Sequence, residues 1–271
     1  MVIMMRPRVI KLAETKVDRR AVQKLMQEYG KPAISWLWGH RNSWSSDGEA
    51  LIEISGRVCY RSFGVGLNPN ITKVRSESKE YFRNVIQKGD GSILEHATVS
   101  FALMWVSRVF THELVRHRVG TAFSQESLRF VRTTSLPFTE WDGWVPAEFP
   151  KGTKEDLLNA LKGVEHHYQR MIAKIPWEKM NFDEKKRVTS ALRRILPQGM
   201  ATVIIFTANH RTLRWLIEMR THPSAEIEIR KIFGLIAEMC IQDYPLIYSD
   251  FKRTTTRDGL HSYAPTLRSK V

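Results

Sequence analysis

Residues 201–208, ATVIIFTA, are a short apolar run rich in β-branched side chains, and such a run reads as a strand. A second strand signal stands at 97–105, where Val99, Phe101 and Leu103 alternate with Thr98, Ser100 and Ala102 in the period of a half-buried strand. Around these two the spacing is helical. Leu51, Ile54 and Val58 share one helical face, as do Ile52 and Cys59, so a helix is expected over about 47–61. Ile229, Ile232, Ile236 and Cys240 do the same within 225–242. Helices and strands alternate without a strict βαβ pattern. This predicts an α+β fold, a single domain with a mixed sheet and flanking helices, rather than a doubly wound sheet.

The remaining elements follow from caps and breakers. Asp18 caps a short helix closed by Gly30, residues 64–70 read as loop, and 75–89 as a helix ending at Gly89. Residues 107–117 have helical spacing with Phe110, Leu114 and His117 on one face, so that Arg116-His117-Arg118 would end a helix. A small-residue loop would follow, then a strand near 127–132. Further helices are expected at 155–174, 183–195 and 211–220. Residues 134–153, with Trp141 and Trp144, read as an irregular excursion. The domain expectation is an N-terminal extension (1–45), a central domain (46–245, with 134–180 inserted) and a basic C-terminal tail (246–271).

The 271 residues carry 42 Lys+Arg against 28 Asp+Glu, a net charge of +14 that calls for anionic partners without naming them. No stretch reaches the roughly 18 apolar residues of a membrane span, and the apolar start is too short for a signal peptide. A cytoplasmic protein is expected. Two cysteines, Cys59 and Cys240, make neither a disulfide framework nor a cysteine-based zinc site, and both fall on apolar helical faces. Walker and Rossmann phosphate motifs are absent, and no His/Asp/Glu spacing predicts a metal site.

The densest polar cluster is RHRVGTAFSQESLR, Arg116 to Arg129. Arg116 and Arg118 point to different sides and suit two anionic groups, or one anion and one carboxylate. Basic residues completing the negative end of a helix would account for the same pattern. Glu95-His96 and Asn209-His210-Arg211 both stand at strand ends, where ligands are often held. Arg220 shares a helical face with Leu213, Leu216 and Ile217, so it should point inward and need a partner. Glu113, Glu126 or a ligand are the candidates, and spacing does not choose.

RHR, a short loop and S-x-R together resemble the signature of the flavin-dependent thymidylate synthases. GRVCYRS (56–62), LEHATVSF (94–101), FTHELVRHR (110–118), FSQESLRF (123–130), RRILPQGMATVIIFTANHRTLRWLIEMR (193–220) and AEIEIR (225–230) follow that family's blocks in order. The resemblance implies that family's fold, a homotetramer with FAD bound where subunits meet, and conversion of dUMP to dTMP. Methylenetetrahydrofolate would be the one-carbon donor and NADPH the reductant. By position it implies His96, Thr98, Arg116, His117, Arg118, Asn209 and Arg211 for FAD. Glu113, Glu126, Ser127 and Arg129, with Arg193 from another subunit, would hold dUMP, and Arg220 would face its pyrimidine. Arg220 and Ser127 are the implied catalytic residues. Three positions depart from the family's pattern. Eight residues (Val119 to Glu126) rather than seven separate RHR from the serine, Glu113 replaces a common glutamine, and Ser224 a common histidine. Two other readings compete: a related one-carbon transferase acting on another pyrimidine nucleotide, for instance by hydroxymethylation, and a nucleic-acid-binding protein on this scaffold. Against the second, the basic residues gather beside Glu126 instead of forming a stripe with interleaved aromatics.

Overall fold

The computed structural model describes residues 3–131, 135–140 and 148–271. The chain opens with β1 (Ile3–Met5), β2 (Arg8–Glu14), α1 (Arg19–Tyr29), α2 (Lys31–His40), α3 (Asp47–Tyr60) and α4 (Ser78–Lys88). A 3₁₀ turn over Gly91–His96 leads into β3 (Thr98–Ser107), α5 (Arg108–Leu114), β4 (Thr121–Gln125) and β5 (Pro137–Thr139). Then come α6 (Thr153–Ala173), α7 (Phe182–Leu192) and β6 (Ala201–Asn209). The order closes with α8 (His210–Arg220), α9 (Ile227–Asp243), α10 (Pro245–Tyr248), β7 (Phe251–Thr255) and β8 (His261–Pro265). Helices and strands are mixed as the sequence predicts, with a four-stranded sheet in the order β2-β3-β6-β4. Trp141 and Trp144 lie outside the described residues.

The chain divides into two compact units. The first draws on Met1–Ile10, Ala102–Arg118 and Phe123–Phe206, the second on Lys11–Phe101, Val119–Ala122 and Thr207–Val271. In the first unit β1 pairs in parallel with β5, and Leu136, Phe138, Tyr168 and Met200 form a core on which Leu161, Val164 and Leu192 pack. α7 starts on a capping box: the Asn181 side chain accepts from the Glu184 amide while the Glu184 carboxylate accepts from the Asn181 amide.

In the second unit Asp18 caps α1, and Ser46 caps α3. α2 is apolar around much of its surface, so no single stripe stands out; it leaves Trp38 exposed and buries Ala33, Trp36 and His40. Trp36 joins Met26, Ile54 and Phe63 in one cluster. Arg57 is buried and donates to Glu53 Oε1 through Nε at 2.9 Å and Nη2 at 2.7 Å, and also to the Ser62 and Arg75 carbonyls, so both the charge and most of its donors are met inside the fold. Leu213, Leu216 and Ile217 of α8 and Ile229, Ile232, Phe233 and Ile236 of α9 are fully buried.

Several expectations change. The helix after β3 ends at Leu114, so Arg116-His117-Arg118 sit in the turn beyond it, where the Arg116 and His117 amides donate to the carbonyls of Glu113 and Leu114. The stretch expected as a small-residue loop is strand β4, and 127–131 is a turn in which the Phe130 and Val131 amides donate to the Ser127 carbonyl. Pairing and the stacking of Phe123 on Phe206 at 5.6 Å outweigh the weak propensity of TAFSQ. Residues 251–265 form an antiparallel hairpin whose turn holds Asp258-Gly259, with Gly259 at φ +78°. Cys240 is buried as expected, whereas Cys59 is exposed.

Candidate active site

Each unit holds part of the predicted constellation. In the second unit, β6 runs into α8 at Asn209, whose side-chain oxygen caps the helix by accepting from the Thr212 amide at 2.9 Å. The Asn209 amide donates to the Gly120 carbonyl, and the His210 amide to the Ala97 carbonyl. Residues 96–98 and 120 are therefore brought to the positive end of α8. Gly120 must be glycine there. Its φ is +69°, and a Cβ would come within 2.5 Å of Asn209 Nδ2 and also meet Thr212 Oγ1.

Around this junction lies a cavity of about 420 Å³, lined by Glu95, Val119, Gly120, Asn209, Arg211, Thr212, Trp215, Lys270 and Val271. Arg211 Nη1 meets Glu95 Oε1 at 2.5 Å, with both side chains partly exposed. His96 ends the 3₁₀ turn and Thr98 begins β3; both are exposed. A helix start capped by Asn209, a guanidinium, an amide and an indole in one mostly apolar cavity suit a planar ring carrying an anion. Gly120 leaves open space at the rim of this cavity, Asn209 and Arg211 border it, and Trp215 offers it an aromatic face.

Arg220, the last residue of α8, is half-buried rather than interior. The arginine that α8 does bury is Arg214, bound to Asp250 at 2.7 and 2.9 Å and also donating to the Ile247 carbonyl. His210 is fully buried against Tyr244 and accepts or donates through Nδ1 at 2.9 Å from the Tyr248 hydroxyl. Burial pushes its pKa down to about 3, with Glu14 opposing and Arg214 and Lys11 reinforcing, so the ring is neutral. That removes His210 as a proton carrier near neutral pH.

In the first unit Glu126 is held from both sides. Its amide donates to the Val203 carbonyl, and its Oε2 accepts from the Val203 amide at 3.2 Å and from Thr202 Oγ1 at 3.5 Å. Its own carbonyl accepts from Arg108 Nη2 at 3.1 Å. The next residue, Ser127, accepts from the Arg129 amide at 3.3 Å, and Arg129 lies over the Phe130 ring. Glu113 is half-buried on α5, and Arg116, Arg118, Arg129 and Arg193 are exposed. Spacing gives no sign of Arg108. It is half-buried, its Nε is buried with no partner among the described residues, and burial lowers its pKa, with Glu126 opposing and Arg193 reinforcing. The structure thus brings Arg108, Glu126 and Arg193 together. Beside them a second cavity of about 410 Å³ is lined by Arg129, Phe130, Trp177, Phe182, Lys185 and Lys186, among others. Lys270 and Arg108 lie outside the quoted blocks and only non-local packing reveals them, while Trp215 lies within the 193–220 block but spacing alone gives it no role.

A family profile described as thymidylate synthase complementing protein matches residues 42–246. The flavin-dependent thymidylate synthase of Mycolicibacterium gilvum (strain PYR-GCK) is 33% identical over 242 residues, covering 84% of this chain and 90% of that protein. That of Mycobacterium tuberculosis (strain ATCC 25618 / H37Rv) is 33% identical over 231 residues, covering 80% and 86%. Among solved structures, the UMP/dUMP methylase PolB from Streptomyces cacaoi, bound with 5-Br UMP, superposes with a TM-score of 0.61 at 16% identity, covering 91% of this chain and 94% of PolB. The same methylase bound with 5-Br dUMP gives 0.60 at 15% identity.

Proposed function

The chain belongs to the flavin-dependent thymidylate synthase family, and from that premise we propose that it converts dUMP to dTMP. The proposed cofactor is FAD, with methylenetetrahydrofolate as one-carbon donor and NADPH as reductant. The observation that carries this is the cavity at the start of α8, where Asn209, Arg211, Gly120 and Trp215 form a cradle for a flavin nucleotide. Bound flavin would supply hydride-transfer chemistry. The chain's own residues would bind and orient. Asn209, Arg211, His96 and Thr98, with Arg116, His117 and Arg118, would hold the flavin. Arg211 can turn from Glu95 toward a phosphate because that surface pair is worth little.

For the nucleotide, Ser127 and Arg129 of one copy, with Arg193 of another, would take the phosphate, and Arg108, whose Nε has no partner among the described residues, would join them. Guanidinium forks match phosphate oxygens bidentately, so several in one site favour a dianion over a neutral ligand. Glu126 spends one carboxylate oxygen on Val203 and Thr202, which fixes the turn that presents Ser127. Arg220 would face the pyrimidine, where a fixed cation favours the negative charge that develops as C5 reacts. Glu113, half-buried on α5, would set substrate detail in place of an amide.

We place these sites at subunit contacts of a homotetramer, each built by more than one copy. In support, Phe130 and Phe182 stack at 6.3 Å yet stand 57% and 68% exposed, an aromatic face that assembly would cover. A cytoplasmic location accords with the finding that no described helix is long and apolar enough to cross a membrane. The experiment measures flavin released from denatured protein and nucleotide product by chromatography. FAD rather than FMN, and dTMP from dUMP, are expected. Preferential turnover of UMP or dCMP would move the chain to the related one-carbon transferases, and absence of flavin binding in excess FAD would overturn the flavoenzyme reading.

A further inference from the structure

Residues 268–271 return from the hairpin to the cavity at the start of α8, and they are held there by a defined set of contacts. Arg268 Nη1 donates to the Lys88 carbonyl at 2.7 Å and the Gln87 carbonyl at 3.5 Å, closing the end of α4. Ser269 Oγ donates to Glu218 Oε1 at 2.6 Å, and the Lys270 amide to Glu218 Oε2 at 3.4 Å. Val271 is buried beside Gly91, where a Cβ would lie 2.8 Å from the Val271 carbonyl carbon and 3.1 Å from Arg211 Nε. Gly91 is the side-chain-free floor that lets Val271 and Arg211 share one place.

Lys270 sits between these anchors at φ +57°, a left-handed conformation uncommon for a residue with a Cβ. Such strain persists only when neighbours impose it. Here Glu218 and the Val271 wedge impose it, and the result is that Lys270 lines the cavity with Arg211, Asn209 and Trp215. No carboxylate pairs with its ammonium among the described residues, whereas Arg211 in the same cavity is paired with Glu95. The cavity therefore has a helix start, a guanidinium paired with the Glu95 carboxylate, and Lys270 as its further cationic residue around an aromatic face.

We propose that residues 268–271 form a wall of the flavin-nucleotide site and that Lys270 places its ammonium against the nucleotide's phosphates. This rests on the reading of the cavity as the flavin site. The wall is secured by the exposed polar contacts of Arg268 and Ser269 and by the buried Val271 side chain, with Glu218 holding the strap. Lys270 is thereby a binding residue, and Glu218 a positioning residue that acts through it.

The test measures FAD dissociation from full-length protein by recovery of flavin fluorescence, at low and moderate salt, with melting temperature on the same samples. Lys270→Ala should speed dissociation about tenfold at low salt, less as salt rises and screens the charge, with melting temperature nearly unchanged. Glu218→Gln should weaken the strap and move dissociation in the same direction, whereas Lys270→Arg should retain slow release. If wild type binds FAD and Lys270→Ala releases it at the wild-type rate, the wall proposal is overturned while the flavin reading stands. If wild type binds no FAD, the flavin reading falls and the proposal with it.

Discussion

Two arginines on α8 differ in a way that one helix face does not show. Arg214 is buried with Asp250, each side chain 2% exposed, while Arg220 six residues later is half-buried. Removing one partner of a buried ion pair costs about 3–5 kcal/mol, because the other charge is left without compensation. Arg214→Met should therefore lower the melting temperature by roughly 10 °C, given about 2–4 °C per kcal/mol for a chain of this size. Arg220→Ala removes a group that water already reaches, and the fold should stay within about 2 °C of wild type. Its effect belongs to the chemistry: dTMP formation should fall about 100-fold, as when a fixed charge is taken from a developing anion. Flavin content should hold. Normal dTMP formation from folded, flavin-loaded Arg220→Ala would remove this residue from the site.

At the scale of elements, the junction of β6 with α8 does two jobs. Asn209 caps the helix and borders the cavity, while His210, the first helical residue, plugs the helix onto α10 through Tyr248. The plug makes stability depend on pH with a definite sign. The folded pKa of about 3 lies below the ordinary histidine value, so between about pH 6.5 and 3 the unfolded chain binds the extra proton. The neutral plug's contribution is complete above about pH 6.5 and is lost as pH falls. From pH 7 to pH 5 it should cost up to about 2 kcal/mol. His210→Gln cannot titrate, so its melting temperature should fall less over that interval. Equal slopes for the two proteins would assign the pH response to other groups. The hairpin of β7 and β8 was open to a similar local reading. Asp258-Gly259 is a turn signal, but β7 reads FKRTT with four exposed residues and looks like a solvated tail until Tyr263 of β8 is seen buried, its hydroxyl donating to Glu238 of α9.

For the whole molecule, the basic surplus resolves into particular tasks. Lys11 pairs with Asp243 and Glu14, and Arg230 with Asp258, so these bases are neutralised in the fold and the +14 excess lies on other residues. Arg108, Arg129 and Arg193 gather in the first unit, and Arg211 with Lys270 in the second. In the proposed tetramer Arg129 and Arg193 of different copies serve one nucleotide. Arg129→Ala and Arg193→Ala should each be inactive alone, and co-refolding them should restore part of the activity, since some sites then combine two intact arginines. The assay is dTMP formation alongside native mass spectrometry of the mixture. Mixed tetramers without activity would place both arginines in a site built by one copy.

The sequence by itself determined what depends on near neighbours. Asp18 announces a helix start through a cap that acts within three residues, and Val99, Phe101 and Leu103 announce a strand by alternation. The ordered blocks around RHR and NHR carried the family. Only the tertiary structure decided matters set by residues far apart in the chain. TAFSQ is a strand because it pairs in the sheet and stacks Phe123 on Phe206. Arg214, not Arg220, is the buried arginine because Asp250, 36 residues away, is there to meet it. Residues 268–271 reach the cavity because Gly91 leaves room and Glu218 holds them. Local propensity is worth tenths of a kcal/mol per residue, whereas burying a charge or completing a strand pair involves several, so the distant partner prevails wherever the two disagree.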